Sequence, residues 1–160
     1  MNVEDALGLI RFIPDYPQTG VLFQDITPVL ANADAFACVV KALAEVDPSS
    51  NVVAGIEARG FIFASAIAIA KGCGFVPIRK KGKLPHVTYS QQYGLEYGVD
   101  EIEIHIDAFA PGSKVLLVDD VLATGGTLVA AIDLVRRAGG IVTDIAVPVS
   151  YTHLRAHETV

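Results

Sequence analysis

Residues 115–127 carry the chain's densest chemistry: an apolar run, the acidic pair Asp119 and Asp120, then the small turn Ala123, Thr124, Gly125, Gly126, Thr127. Val115, Leu116, Leu117 and Val118 are apolar without alternation, as in a strand buried on both faces of a parallel sheet. Two acids at the carboxyl end of such a strand stand where open α/β sheets form their ligand crevice. The turn that follows offers unblocked N–H groups and two hydroxyls at a helix start, where the helix dipole favours an anion. Carboxylates accept hydrogen bonds from ribose hydroxyls while such a turn holds a phosphate, so the run reads as a phosphoribose site. The alternatives fit less well. There is no Gly-x-Gly-x-x-Gly for a dinucleotide and no Gly-Lys-Ser/Thr for a Walker A loop. An ordinary glycine turn requires neither two adjacent acids nor two threonines around Gly-Gly.

The elements needed to position this run can be read along the chain. Apolar spacing predicts helices over residues 3–12, 33–45, 60–71 and 127–138, the last stopped by Gly139 and Gly140. Strands are expected over 52–56, 75–78, 101–106, 115–118 and 141–149. Residues 14–28 read as irregular, and the polar, glycine-bearing residues 80–98 as a long loop of the kind that serves as a lid. Glu101, Glu103 and His105 alternate with isoleucines, giving a strand with one wet face on which His105 is merely solvated. The βαβ order implies a mostly parallel central sheet flanked by helices, in one domain spanning 1–149.

Composition narrows the function classes. The chain has 160 residues, 52% of them hydrophobic, and a formal charge of −6. Mean hydropathy is +0.47, which argues against disorder. No apolar run approaches the roughly 20 residues that span a bilayer. Glu4 and Asp5 near the start oppose a signal peptide, so a cytoplasmic setting is expected. Cys38 and Cys73 are read as free thiols of a reducing compartment. The acidic balance opposes nucleic-acid binding. Against it, Arg79, Lys80, Lys81 and Lys83 concentrate positive charge within five positions, suiting a polyanion. Arg59 could fork onto a phosphate, although a lone Arg at a helix start is more commonly a surface cation.

The 115–127 run resembles the phosphoribosyl-pyrophosphate motif of type I phosphoribosyltransferases, and its Leu-Ala-Thr-Gly-Gly-Thr spelling is similar to the adenine phosphoribosyltransferase family in particular. The resemblance implies the type I phosphoribosyltransferase α/β fold with an N-terminal helix and hood over 1–30. It implies transfer of phosphoribose from 5-phosphoribosyl 1-pyrophosphate (PRPP) to adenine, giving AMP and pyrophosphate, with Mg²⁺ bound through PRPP and no dedicated protein ligands. Ala123, Thr124, Gly125, Gly126 and Thr127 would hold the 5′-phosphate, with Asp119 and Asp120 on the ribose. Glu57, Ala58 and Arg59 resemble the pyrophosphate loop, joined by Arg79, Lys80 and Lys83, whereas Lys81 reads as solvated. Within the lid, Glu96 would manage the purine proton and Tyr97 would be a lid residue. In the hood Phe23 would stack on the base and the backbones of Leu22 and Gln24 would read its edge, with Val121 also among the adenine contacts. The family often has Arg or Lys where this chain has Gln24, which spares backbone readout alone. A homodimer is implied.

The likeness covers residues 15–147 and then stops. Residues 150–160 lack a core pattern and the expected continuation into another strand and helix; they read as an artefactual tail similar to translated sequencing-adapter sequence. His153 and His157 are therefore not read as a metal pair. Three alternatives stay open: transfer to another purine base, xanthine or hypoxanthine; a non-catalytic PRPP sensor, for whose effector domain the chain has no residues to spare; or an inert fragment.

Overall fold

The computed structural model describes residues 1–95, 98–119 and 125–148. Its centre is the parallel pair Val52–Ile56 (β3) and Lys114–Val118 (β7), both almost wholly buried, as their unalternating apolar sequences require. Gly74–Lys80 (β4) pairs parallel with β3, and Ile141–Ala146 (β8) pairs parallel with β7. Thr88–Leu95 (β5) and Gly98–His105 (β6) form an antiparallel hairpin, whose β6 strand pairs antiparallel with β4 through Arg79–Glu103 and Lys80–Ile102. The sheet order is β5-β6-β4-β3-β7-β8. Four strands are thus parallel, with the hairpin as an antiparallel extension.

The alternate side chains of the core strands divide the interior in two. Val53, Leu116, Val118 and Ala146 face the helices Ala33–Ala44 (α3) and Arg59–Lys71 (α4), along with the short helices Val3–Leu7 (α1) and Thr27–Ala31 (α2). Ala54, Leu117 and Ile145 face Gly125–Arg137 (α5), which presents Leu128, Ala131, Leu134 and Val135. Close approach sets both layers. A Cβ on Gly55 would stand 2.5 Å from Ala64 Cβ of α4. At the end of α5, Gly139 has φ +96°, a left-handed conformation that favours glycine.

Several expectations are corrected. The first helix ends at Leu7, not at residue 12, and residues 14–28 are not simply irregular. Arg11–Pro14 (β1) and Leu22–Asp25 (β2) pair antiparallel as a separate two-stranded sheet. None of their residues is fully buried, so no apolar alternation betrays them. Residues 80–98 are not one long loop either. Tyr89 and Tyr93 pack into the core beside α5, which turns a polar, tyrosine-bearing stretch into β5. Glu103 does not lie on a wet face. It is buried, accepting from Gly82 N–H (2.8 Å), Thr88 Oγ1 (2.8 Å) and Ser90 Oγ (2.7 Å). The expected strand over 141–149 ends at Ala146.

Candidate active site

The parallel strands β4, β3 and β7 end side by side, where open α/β sheets place their ligand crevice. Beyond β3, Glu57 and Ala58 lead into α4, and Gly60 lies against the end of β7. A Cβ on Gly60 would be 3.1 Å from Val118 O and 3.3 Å from Asp119 Cα. Glycine therefore lets the start of α4 meet the residue that begins the acidic pair. Asp119 is half-buried, and its N–H donates to Ala146 O at 3.2 Å.

Arg59 reaches from the same loop to the N-terminal hairpin. Its Nη1 donates to Gln24 O at 3.3 Å, and its guanidinium lies 5.2 Å from the centre of the Phe23 ring. On its other side Phe23 meets Tyr16 edge-to-face at 5.1 Å. Phe23 is half-buried while Leu22 is exposed. Below them Asp25 accepts from Thr27 N–H and Oγ1 (3.0 and 2.6 Å) and from Arg11 Nη2 (2.8 Å). The Thr27 hydroxyl and amide, aided by Arg11, hold its carboxyl down at about 2.

On the opposite flank the basic residues gather around two carboxylates. Glu57 accepts from Arg79 Nε (3.1 Å), Lys80 N–H (2.9 Å) and Lys83 Nζ (2.7 Å). Burial opposes its charge, but Lys83, the Lys80 amide and Arg79 outweigh that and keep the carboxyl below its ordinary range. The Lys80 ammonium instead pairs with Asp100, which raises the lysine and lowers the acid. Tyr93 also donates to Asp100 at 3.0 Å. Lys81 points outward, 70% exposed, with Glu101 at 3.8 Å.

The structure thus brings together Glu57, Arg79, Lys80 and Lys83 as one group, and Arg59, Phe23 and Gln24 as another, with exposed Leu22 next to Phe23 on β2. Asp119 follows β7, the neighbour of β3 on the side away from β4. Gly125, Gly126 and Thr127 begin α5, and Gly126 lies under β5, where an added Cβ would be 3.9 Å from Gly94 O. Glu96, Tyr97, Asp120, Val121, Ala123 and Thr124 lie outside the described residues. Asp100 and Tyr93 escape a reading by residue type. Their signal was parity: Asp100 shares the face of Ile102 and Ile104, an acid on an otherwise apolar side.

Known proteins share this sequence and this backbone. A family model described as a phosphoribosyl transferase domain matches residues 29–159, so the aligned stretch enters the segment that the sequence sets outside the family pattern. An adenine phosphoribosyltransferase of Thermobifida fusca is 54% identical over 151 residues, covering 93% of this chain and 86% of the relative. The crystal structure of the enzyme from Thermoanaerobacter pseudethanolicus superposes with a TM-score of 0.86 at 49% identity, covering 90% of this chain and 85% of the other. The Saccharomyces cerevisiae enzyme, solved with an imino-altritol bisphosphate and adenine, gives 0.85 at 36% identity, covering 89% and 85%. Likeness of this extent, in sequence and in backbone alike, leaves one assignment: the chain belongs to the adenine phosphoribosyltransferase family.

Proposed function

We propose that this chain transfers the phosphoribosyl group of PRPP to adenine, yielding AMP and pyrophosphate in purine salvage. The observation that carries the reading is the contact at Gly60, which sets the Glu57–Arg59 loop beside the end of β7. One crevice then has acids for ribose hydroxyls and cations for a departing diphosphate.

In the reaction the C1′–O bond to pyrophosphate breaks, its electron pair leaving with pyrophosphate, and adenine N9 bonds to C1′. Asp119 and Asp120 accept from the ribose hydroxyls and orient the ring as positive charge builds at C1′. Ala123, Thr124, Gly125, Gly126 and Thr127 hold the 5′-phosphate at the start of α5. Arg79, Lys80 and Lys83, with the Glu57, Ala58 and Arg59 loop, take the charge of the leaving group. Glu96 accepts the purine proton, and Tyr97 closes over the site with it. Phe23 stacks on the base, Leu22 and Gln24 read its edge from the backbone, and Val121 contacts it. The Gln24 carbonyl already accepts from Arg59, so its second lone pair is the one left for adenine.

The donor set fits a cation that arrives with the substrate. Glu57, the acid nearest the basic loop, is committed to Arg79, Lys83 and the Lys80 amide, so it does not contribute to an all-protein cage. Mg²⁺ bound through PRPP would neutralise charge on the diphosphate. Free Cys38 and Cys73 accord with a cytoplasmic setting. Among the described residues no helix is long and apolar enough to cross a membrane. Exposed Phe12, Tyr16 and Leu22 on the N-terminal hairpin offer a face for a second copy in a homodimer.

The test is nucleotide formation from PRPP and each purine base in turn. AMP from adenine alone is expected; product from hypoxanthine or xanthine would transfer the reading to another base. Glu96→Ala is expected to lower turnover by about 10²–10⁴-fold with PRPP binding retained. Undiminished turnover in that variant would remove Glu96 from the mechanism.

A further inference from the structure

Asp100 and Tyr93 face one another across the β5–β6 hairpin, on the side that also carries Ile102 and Ile104. A carboxylate on an apolar face is costly unless its oxygens are satisfied. Here Asp100 Oδ2 receives both the Lys80 ammonium and the Tyr93 hydroxyl, and Oδ1 accepts from Glu101 N–H at 2.9 Å. The bonds form a relay from Lys80 at the end of β4, through Asp100 on β6, to Tyr93 on β5. Lys80 is a residue assigned above to the pyrophosphate, and Tyr93 packs against the core beside α5. Asp100 and Tyr93 lie on the two strands that residues 96 and 97 join.

Taking the proposed reaction as its basis, we infer that Asp100 is a positioning residue, which aims Lys80 at the pyrophosphate and is itself held in place by the Tyr93 hydroxyl. A fixed ammonium binds a diphosphate without first being ordered, whereas a swinging lysine loses side-chain freedom at the moment of binding.

The experiment is a double-mutant cycle read by calorimetric binding of magnesium pyrophosphate to the intact chain, with steady-state kinetics beside it. Asp100→Asn keeps the shape and removes the charge; Lys80→Met keeps the apolar stem. Each single variant is expected to weaken pyrophosphate binding by about tenfold. In the Lys80→Met background, Asp100→Asn should add nothing, because Asp100 acts through Lys80. The KM for PRPP should rise in step while the KM for adenine holds within about twofold. Tyr93→Phe keeps the ring packing and provides a second readout should Asp100→Asn not fold. It should weaken pyrophosphate binding by about threefold through loss of the hydrogen bond that holds Asp100. Additive effects of Asp100→Asn and Lys80→Met, or wild-type pyrophosphate affinity in a folded Asp100→Asn, would overturn the inference, as would unchanged pyrophosphate affinity in Tyr93→Phe. The binding cycle does not require turnover. Absence of AMP with non-additive binding intact would therefore count against the proposed reaction and not against the relay.

Discussion

Two antiparallel hairpins flank the crevice, and they are built in opposite ways. The β1–β2 hairpin is a sheet of its own, with Phe12, Tyr16 and Leu22 exposed. Among its described ties are Arg11 to Asp25 across the strands, Thr27 to Asp25 at the start of α2, Arg59 to Gln24 O, and the stack of Arg59, Phe23 and Tyr16. The β5–β6 hairpin is the edge of the main sheet. Tyr89 and Tyr93 enter the core, Arg137 Nη1 donates to Ser90 O at 2.7 Å, and buried Glu103 gathers three donors. A lone two-stranded ribbon is marginal in water, while a ribbon joined to a larger sheet inherits its stability. The segment proposed to meet a flat, neutral base is thus lightly held, and the one proposed to place a proton acceptor and a cation is held hard. Affinity for a base tolerates adjustment; proton transfer depends on fixed geometry.

The contrast can be broken most forcefully at Glu103. Glu103→Ala strands the Gly82, Thr88 and Ser90 donors and is expected to cost about 2 kcal/mol of global stability, read as a lower urea midpoint. A midpoint equal to wild type would show that the β5–β6 hairpin is no better anchored than its counterpart. Phe23→Ala probes the other side. Global stability should stay within about 0.5 kcal/mol, while the KM for adenine rises by up to about tenfold from loss of a stacking partner. A large drop in stability there would mean that the hood is part of the core after all.

The smallest effect is expected with acid. The Asp25 carboxyl titrates at about 2 in the folded hairpin, below its ordinary value. A depressed folded value means that its contribution is complete above the ordinary carboxylate range and is lost as pH falls toward 2. Amide exchange at Thr27, whose N–H is held by Asp25, should therefore gain protection from this bond at pH 5 and lose it near pH 2. Carbon-detected titration of Asp25 at an ordinary carboxylate value would contradict the bond network drawn for the hood.

The same contrast governs what could be read from sequence. β3, β7, α4 and α5 are legible because burial on two faces, or along one helical stripe, leaves a pattern in residue type. The β1–β2 ribbon leaves none, its strands being four residues long with no fully buried face. β5 was hidden by Ser90, Gln91 and Gln92, whose polarity is at home on an edge strand. Of the candidate site, Arg59, Asp119 and the basic run were legible by chemistry and by likeness. The Asp100–Tyr93 pair was not, because pairing across a hairpin depends on register, and register followed from a strand that the sequence left as a loop. Glu103 was misread for the same reason: the alternation was correct, but the 81–90 segment that covers its outer face was not foreseen.

Gly60 has one more consequence. Because the start of α4 touches the end of β7 through main-chain atoms, the span between the Glu57–Arg59 loop and Asp119 is a gauge made of van der Waals radii, with no rotamer to adjust it. A methyl group at residue 60 would open that gauge by pushing on Val118 O and the Asp119 backbone, whatever base was bound. On the proposed roles, a hood altered to take another purine would leave the spacing of the diphosphate loop and the ribose acid unchanged.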